Sequence, residues 1–219
     1  MPRLLFEKTG NAIWISHLDL MRVFQRAFKR AGLPLTHTQG FNPRPSVSIA
    51  LPLSVGTESH CELLDFDIDG VAVTCDEICS RLNPVLIDGV RVLKVYDEGK
   101  KLRDLSLLHC VVTLEYVNPL VDGAGELLEK LFASHQLIVP KKTKNGVQDQ
   151  DIIPMIRRLT VCQISEKQME LEALICCQNP TLNPAQLVSA IEIYLPQLKP
   201  DFSKCCRLEL YDSNEEIFR

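Results

Sequence analysis

Residues 16–44 gather the side chains best suited to chemistry: His17, Asp19, Arg22, Arg26 and Arg30, then Asn42 and Arg44 beyond a Gly40 turn. Residues four apart on a helix face alike, so Arg22, Arg26 and Arg30 are expected to line up as one basic ridge. His17 and Asp19 fall in the first helical turn, where backbone N–H groups lack intrahelical partners and attract anions. This set suits phosphate groups and, by extension, an RNA or nucleotide backbone. A plainer reading fits the same residues: Ser16 and Asp19 cap the helix, His17 is a surface residue, and the arginines are a solvated face. The loop Gly40-Phe41-Asn42-Pro43-Arg44-Pro45 favours a site, because its composition makes a stiff connection and such loops often carry function. Arg44 extends the basic patch if this loop packs near the helix start.

Other chemical patterns are weak or absent. The sequence contains no GxGxxG, GxxxxGK[ST], HExxH or GxSxG motif. Its nine cysteines include no CxxC, and Cys75-x-x-x-Cys79 has no second close pair at zinc-site spacing. They read as small apolar fillers in a reducing compartment. The adjacent pairs Cys176-Cys177 and Cys205-Cys206 cannot both point inward from one strand, because neighbouring side chains alternate. Asp65, Asp67 and Asp69 alternate with Phe66 and Ile68, the pattern of an exposed strand face rather than a cation site. His60-Cys61 supplies too few ligands for zinc, and Lys141, Lys142 and Lys144 read as a solvated basic turn. No metal or cofactor is expected.

Composition sets the frame for these residues. With 219 residues, 46% hydrophobic and 24% charged, the chain is a globular protein rather than a disordered one. Its net charge of −4 argues against a nucleic-acid binder until its distribution is read. The first fifty residues carry seven basic groups against Glu7 and Asp19, so they hold +5 and the rest of the chain −9. The opening MPRLLFEKTG lacks a secretory pattern, and no apolar run nears the roughly 20 residues that span a bilayer. A soluble, cytoplasmic protein with no membrane association is expected.

The elements that must position the site follow from periodicity. Residues 2–8 and 11–15 read as extended around a turn at Thr9-Gly10-Asn11. Ser16 then caps a helix whose apolar stripe is Leu20, Val23, Phe24, Ala27, Phe28 and Ala31, ended by Gly32 and Pro34. Strands follow at 47–53 and 61–69, a helix at 74–83 and a strand at 89–97. The second half repeats the order: a strand at 107–117, a helix at 123–135, an extended stretch, a polar turn centred on Asn145-Gly146, a strand pair ending at 167–177, a helix opened by Pro184, and a last strand from Cys205. The expected fold class is α+β, two tandem ferredoxin-like (β-α-β-β-α-β) domains with antiparallel sheets, at 1–100 and 105–219.

The stretch ISHLDLMRVFQRAFKRAGLPLTHTQGFNPRPSVSIALPLSVGTES resembles the signature of the radical SAM-linked family of uncharacterised proteins, which shows a SHLD-x-x-R helix, a GFNP-x-P loop and a PLP-like-GxES strand end. A weaker echo lies at 141–156, including Asp151-Ile152. Arg44 stands where many members carry histidine. The resemblance implies an accessory protein working with a radical SAM partner that carries a cobalamin-binding domain, and an association with tRNA, rRNA or the ribosome. The chain has no CxxxCxxC and so would not be the radical enzyme itself.

Charge and resemblance together lead to the expectation of an RNA- or ribosome-associated recognition module. In it Arg22, Arg26, Arg30 and Arg44 meet phosphates, while His17 and Asn42 add local specificity. Two alternatives stand beside it. One is a metal-independent endoribonuclease similar to the RAMP superfamily, in which His17 is the general acid or base. The other is a protein-docking adaptor. Whether the chain is an enzyme stays open at this stage.

Overall fold

The computed structural model describes residues 1–70, 72–143 and 146–219. Lys144 of the basic turn and Asn145 of the polar turn, both named above, lie outside the described residues. The chain divides into two compact units, Met1–Asp104 with Phe218–Arg219, and Leu105–Ile217. Both are mixed α+β.

In the first unit, strand β1 (Arg3–Lys8) leads through a 3-10 turn at Gly10–Trp14 into helix α1 (His17–Arg30). The turn replaces the extended segment expected at 11–15. Its cause is a buried lysine: Lys8, with no exposed surface, donates from Nζ to the carbonyls of Ile13 (3.0 Å) and Ile15 (2.9 Å) and curls the chain around its ammonium group. Helix α1 buries Leu20, Phe24, Ala27 and Phe28. Phe24 meets Phe6 edge-on at 4.7 Å, and Phe28 lies tilted against Phe66 at 5.0 Å. Gly32 ends the helix in the left-handed region (φ +68°), which a side chain would strain.

Strand β2 is short (Val47–Ile49), since Pro52 lies soon after it and cannot continue a ladder. Strand β3 spans Thr57–Phe66, beginning earlier and ending earlier than the pattern suggests. A capping box between Thr74 and Glu77 starts α2 (Cys75–Leu82), and β4 (Val90–Tyr96) completes the unit. Strand β1 lies between β4 and β3, and β2 pairs with β3, every pairing antiparallel. Asp65 is not the solvated residue expected: its carboxylate takes both ends of the Arg3 guanidinium (2.5 and 2.9 Å), and Arg3 is only 2% exposed.

The second unit holds β5 (Leu105–Glu115), α3 (Ala124–Phe132), β6 (Ile138–Thr143), β7 (Gly146–Asp151), β8 (Ile156–Ser165), β9 (Gln168–Cys176), α4 (Ala185–Tyr194) and β10 (Phe202–Asp212). Its sheet runs β10-β5-β9-β8, antiparallel throughout, while β6 and β7 form a separate hairpin. The region read as a polar turn is therefore largely strand. Cys176 and Cys177 are both buried, at 8% and 6%. The alternation argument fails there because Cys176 is the last residue of β9, and the backbone leaves the pleat before Cys177.

Candidate functional site

The start of α1 is a closed local arrangement. Ser16 Oγ accepts from the Asp19 amide (3.2 Å) and donates to Asp19 Oδ2 (2.7 Å), while Arg22 Nη1 donates to Asp19 Oδ1 (2.7 Å). The Ser16 hydroxyl, and then Arg22, hold the Asp19 carboxyl below its ordinary range. The carboxylate form persists at neutral pH, so the cap weakens only as pH falls through that lowered value. Asp19 thus caps the helix and neutralises part of Arg22 rather than contacting an anion. His17 Nδ1 is buried and meets no hydrogen-bond partner among the described residues. Trp14 (67% exposed) and Leu18 (68%) stand open to solvent at this end. The Trp14 ring lies against Gly56, whose amide donates to the Ile13 carbonyl (2.8 Å). The turn preceding β3, not the proline loop, is therefore what borders the helix start.

The proline loop packs elsewhere. Ser46 donates to the Thr36 carbonyl (2.8 Å), Thr38 to the Arg44 carbonyl (2.9 Å), and the Arg44 amide to Thr38 Oγ1 (3.0 Å). These bonds make residues 36–46 a pinned hairpin whose tip exposes Phe41, Asn42 and Arg44. The base of this hairpin, His37 and Pro45, faces Gln25 and Lys29 across a groove of about 440 Å³. Lys29 lies twelve residues beyond His17, roughly 18 Å along the axis at 1.5 Å per residue. The loop base therefore borders the C-terminal half of α1 and not its beginning.

The arginine ridge is also divided. Eight residues at 100° each leave Arg30 about 80° around the helix from Arg22, and Arg30 Nη2 donates to the Val85 carbonyl. Arg3 and Lys8 are buried. Of the seven basic groups that give the first fifty residues their charge, Arg26, Lys29 and Arg44 are the exposed ones whose side chains have no described hydrogen bond or ion pair. The sequence places Gln25 and Lys29 on the polar face of α1 and Phe41 in the proline loop but joins none of them to His37, because only the folded hairpin brings His37 opposite α1.

Outside this region, His109 Nε2 lies 2.8 Å from Glu172 Oε1, in a cleft of about 230 Å³ bordered by Arg158, Thr160 and Tyr211. These residues come from four strands, and no local spacing announces them. Among the described residues, no three His, Cys, Asp or Glu converge to hold a metal ion. Cys75 donates to Asp97 Oδ1 (3.2 Å), and burial, then that carboxylate, pushes its thiol up to about 11. At pH 8 the Cys75 thiolate is therefore scarce. In a timed iodoacetamide reaction read by mass spectrometry, exposed Cys162 should be alkylated well before Cys75. Equal rates would contradict the Cys75 geometry.

A family model described as an uncharacterised protein conserved in bacteria (DUF2344) matches residues 2–184. No curated protein matches the sequence. Among solved structures, the chain is similar to the crystal structure of an unknown protein from Galdieria sulphuraria, at 10% identity and a TM-score of 0.26, with 96% of each chain covered. No helix among the described residues is long and apolar enough to cross a membrane.

Proposed function

The chain belongs to the DUF2344 family of uncharacterised proteins conserved in bacteria, and from that premise we propose that it is an RNA- or ribosome-associated recognition module acting beside a cobalamin-binding radical SAM protein. The observation that carries the RNA half is the set of exposed cations with no described ion pair, Arg26 and Lys29 on α1 and Arg44 on the pinned hairpin. These exposed charges have no ion pair among the described residues and stay available to phosphate, Arg26 only weakly drawn to Asp19, whereas Arg22 is hydrogen-bonded to that carboxylate. The strand orders support reading both units as ferredoxin-like. Each runs fourth-first-third-second within a β-α-β-β-α-β sequence, with β6 and β7 inserted in the second.

The partner half rests on Trp14, Leu18 and Val55, exposed apolar residues at the opposite end of α1 from the groove. The same surface serves the adaptor alternative. In the endoribonuclease alternative His17 would be oriented by a neighbour, and no described hydrogen bond holds its ring.

Binding of labelled tRNA and rRNA fragments over a salt series tests this function. Exchanging Arg26 and Arg44 together for alanine should weaken binding about tenfold and reduce the slope of log affinity against log salt by about 2, one for each lost phosphate contact. Binding that is indifferent to salt, or absent with the unaltered protein, would remove the RNA reading. Co-purification with a partner that survives nuclease and high salt, paired with no RNA affinity, would leave the adaptor in its place.

A further inference from the structure

We infer that the groove between α1 and the base of the 36–46 hairpin receives one base of a single-stranded RNA, with the adjoining phosphates on Lys29 and Arg44 and a neighbouring base stacked on Phe41. This rests on the RNA reading and goes beyond it, because phosphate contacts alone would require no groove and no aromatic residue.

Four observations lead there. The groove, about 440 Å³, has the size of a small-molecule pocket, and its walls include Pro34, Leu35 and Pro45, a surface for a flat ring. Its polar edge is Gln25, Lys29 and His37, and no carboxylate lines it. A side-chain amide donates and accepts at once, so Gln25 can meet the hydrogen-bonding edge of a base, while Lys29 supplies charge for the phosphate attached to it. Lys29 itself lies in one wall of the groove, and Arg44 precedes Pro45 in the other, so an exposed cation stands in or next to each wall. Phe41 is the fourth: it is fully exposed, at 104% of its reference surface, on a loop held by three hydrogen bonds.

An aromatic ring held in water on a pinned loop that also carries the exposed Arg44 matches the stacking platforms of single-strand binders. A double helix would not serve. Its bases are paired and stacked, and sequence-specific RNA recognition mostly draws on unstacked bases.

The test compares a short unstructured RNA oligomer with an abasic ribose-phosphate oligomer of the same length and charge, by fluorescence anisotropy. The RNA should bind about tenfold more tightly. Gln25→Trp, which fills the groove, and Phe41→Ala, at a site with no packing to lose, should each bring RNA binding down toward the abasic level without changing abasic binding. Where Gln25→Trp fails to fold, as read by its thermal melt, His37→Ala on the opposite wall takes its place.

Equal affinity for the two oligomers, both lost on exchanging Arg26 and Arg44, would overturn the base site and leave the phosphate-binding function standing. Binding of neither oligomer would overturn both. A preference for RNA that survives the groove substitutions would place the base elsewhere and overturn this assignment.

Discussion

Replacing Arg3 with methionine is expected to lower the unfolding free energy by about 3–5 kcal/mol, the usual result of removing one partner from a buried ion pair. Arg3 is 2% exposed and joins three parts of its unit. Its guanidinium holds Asp65 of β3 and the Lys100 carbonyl (2.8 Å), and it lies 5.2 Å from the ring centroid of Phe218 near the C-terminus. Methionine keeps the apolar stem but strands the Asp65 carboxylate, whose side chain is 14% exposed. For a chain of this size the loss corresponds to a drop of about 6–20 °C in melting temperature. The double substitution Arg3→Met with Asp65→Leu should recover much of it, because the uncompensated charge leaves with its partner. A single variant that melts within a degree or two of the unaltered protein would refute this account of the site. Gly99 belongs to the same arrangement: a Cβ there would come within 2.5 Å of Arg3 Cζ, so the close approach requires glycine.

The second large effect is expected from Lys8→Met. Each charge-assisted hydrogen bond from a buried ammonium contributes about 1.5–3 kcal/mol, and Lys8 makes one to Ile13 and one to Ile15. Losing both should cost about 3 kcal/mol, a fall of roughly 6–12 °C in melting temperature. The effect should also spread beyond stability. The two carbonyls belong to the turn that delivers Ser16 and His17, so amide exchange at residues 13–19 should rise more than exchange in β3. Uniform destabilisation, with no local gain at 13–19, would show that Lys8 supports the unit generally and does not set the helix start.

Helix α1 was readable from sequence because its signals are local. Ser16 and Asp19 at cap spacing, an apolar stripe at three and four, and Gly32 before Pro34 all act within one or two turns. The strand-helix order of the first unit followed from the same short-range patterning. The turn at Gly10–Trp14 was not readable, since its apolar residues fit a strand equally well and only the buried Lys8 decides between them. Asp65 misled for a related reason: an alternating acid looks solvated until a buried arginine from another strand reaches it.

The candidate site divides along the same line. Spacing identified Arg22, Arg26 and Arg30 as helical neighbours, but a straight helix turns about 40° too far every four residues to keep three of them on one face. Arg30 reaches the Val85 carbonyl, Arg22 is paired with Asp19, and the proline hairpin sits toward the other end of α1 from His17.

By itself, the sequence determined that the chain is α+β, that α1 carries a basic face, and that residues 16–44 hold its most concentrated charge. These follow from local propensity, periodicity and composition, which need no knowledge of distant contacts. Tertiary structure alone decided which basic groups of the first fifty residues remain available. Arg3 and Lys8 became internal supports, while Arg26, Lys29 and Arg44 stayed in solvent, Lys29 in the wall of the groove. The physical reason is that a charge on a chain has no partner assigned to it. Burial and long-range pairing make that assignment, and both depend on residues far apart in the sequence.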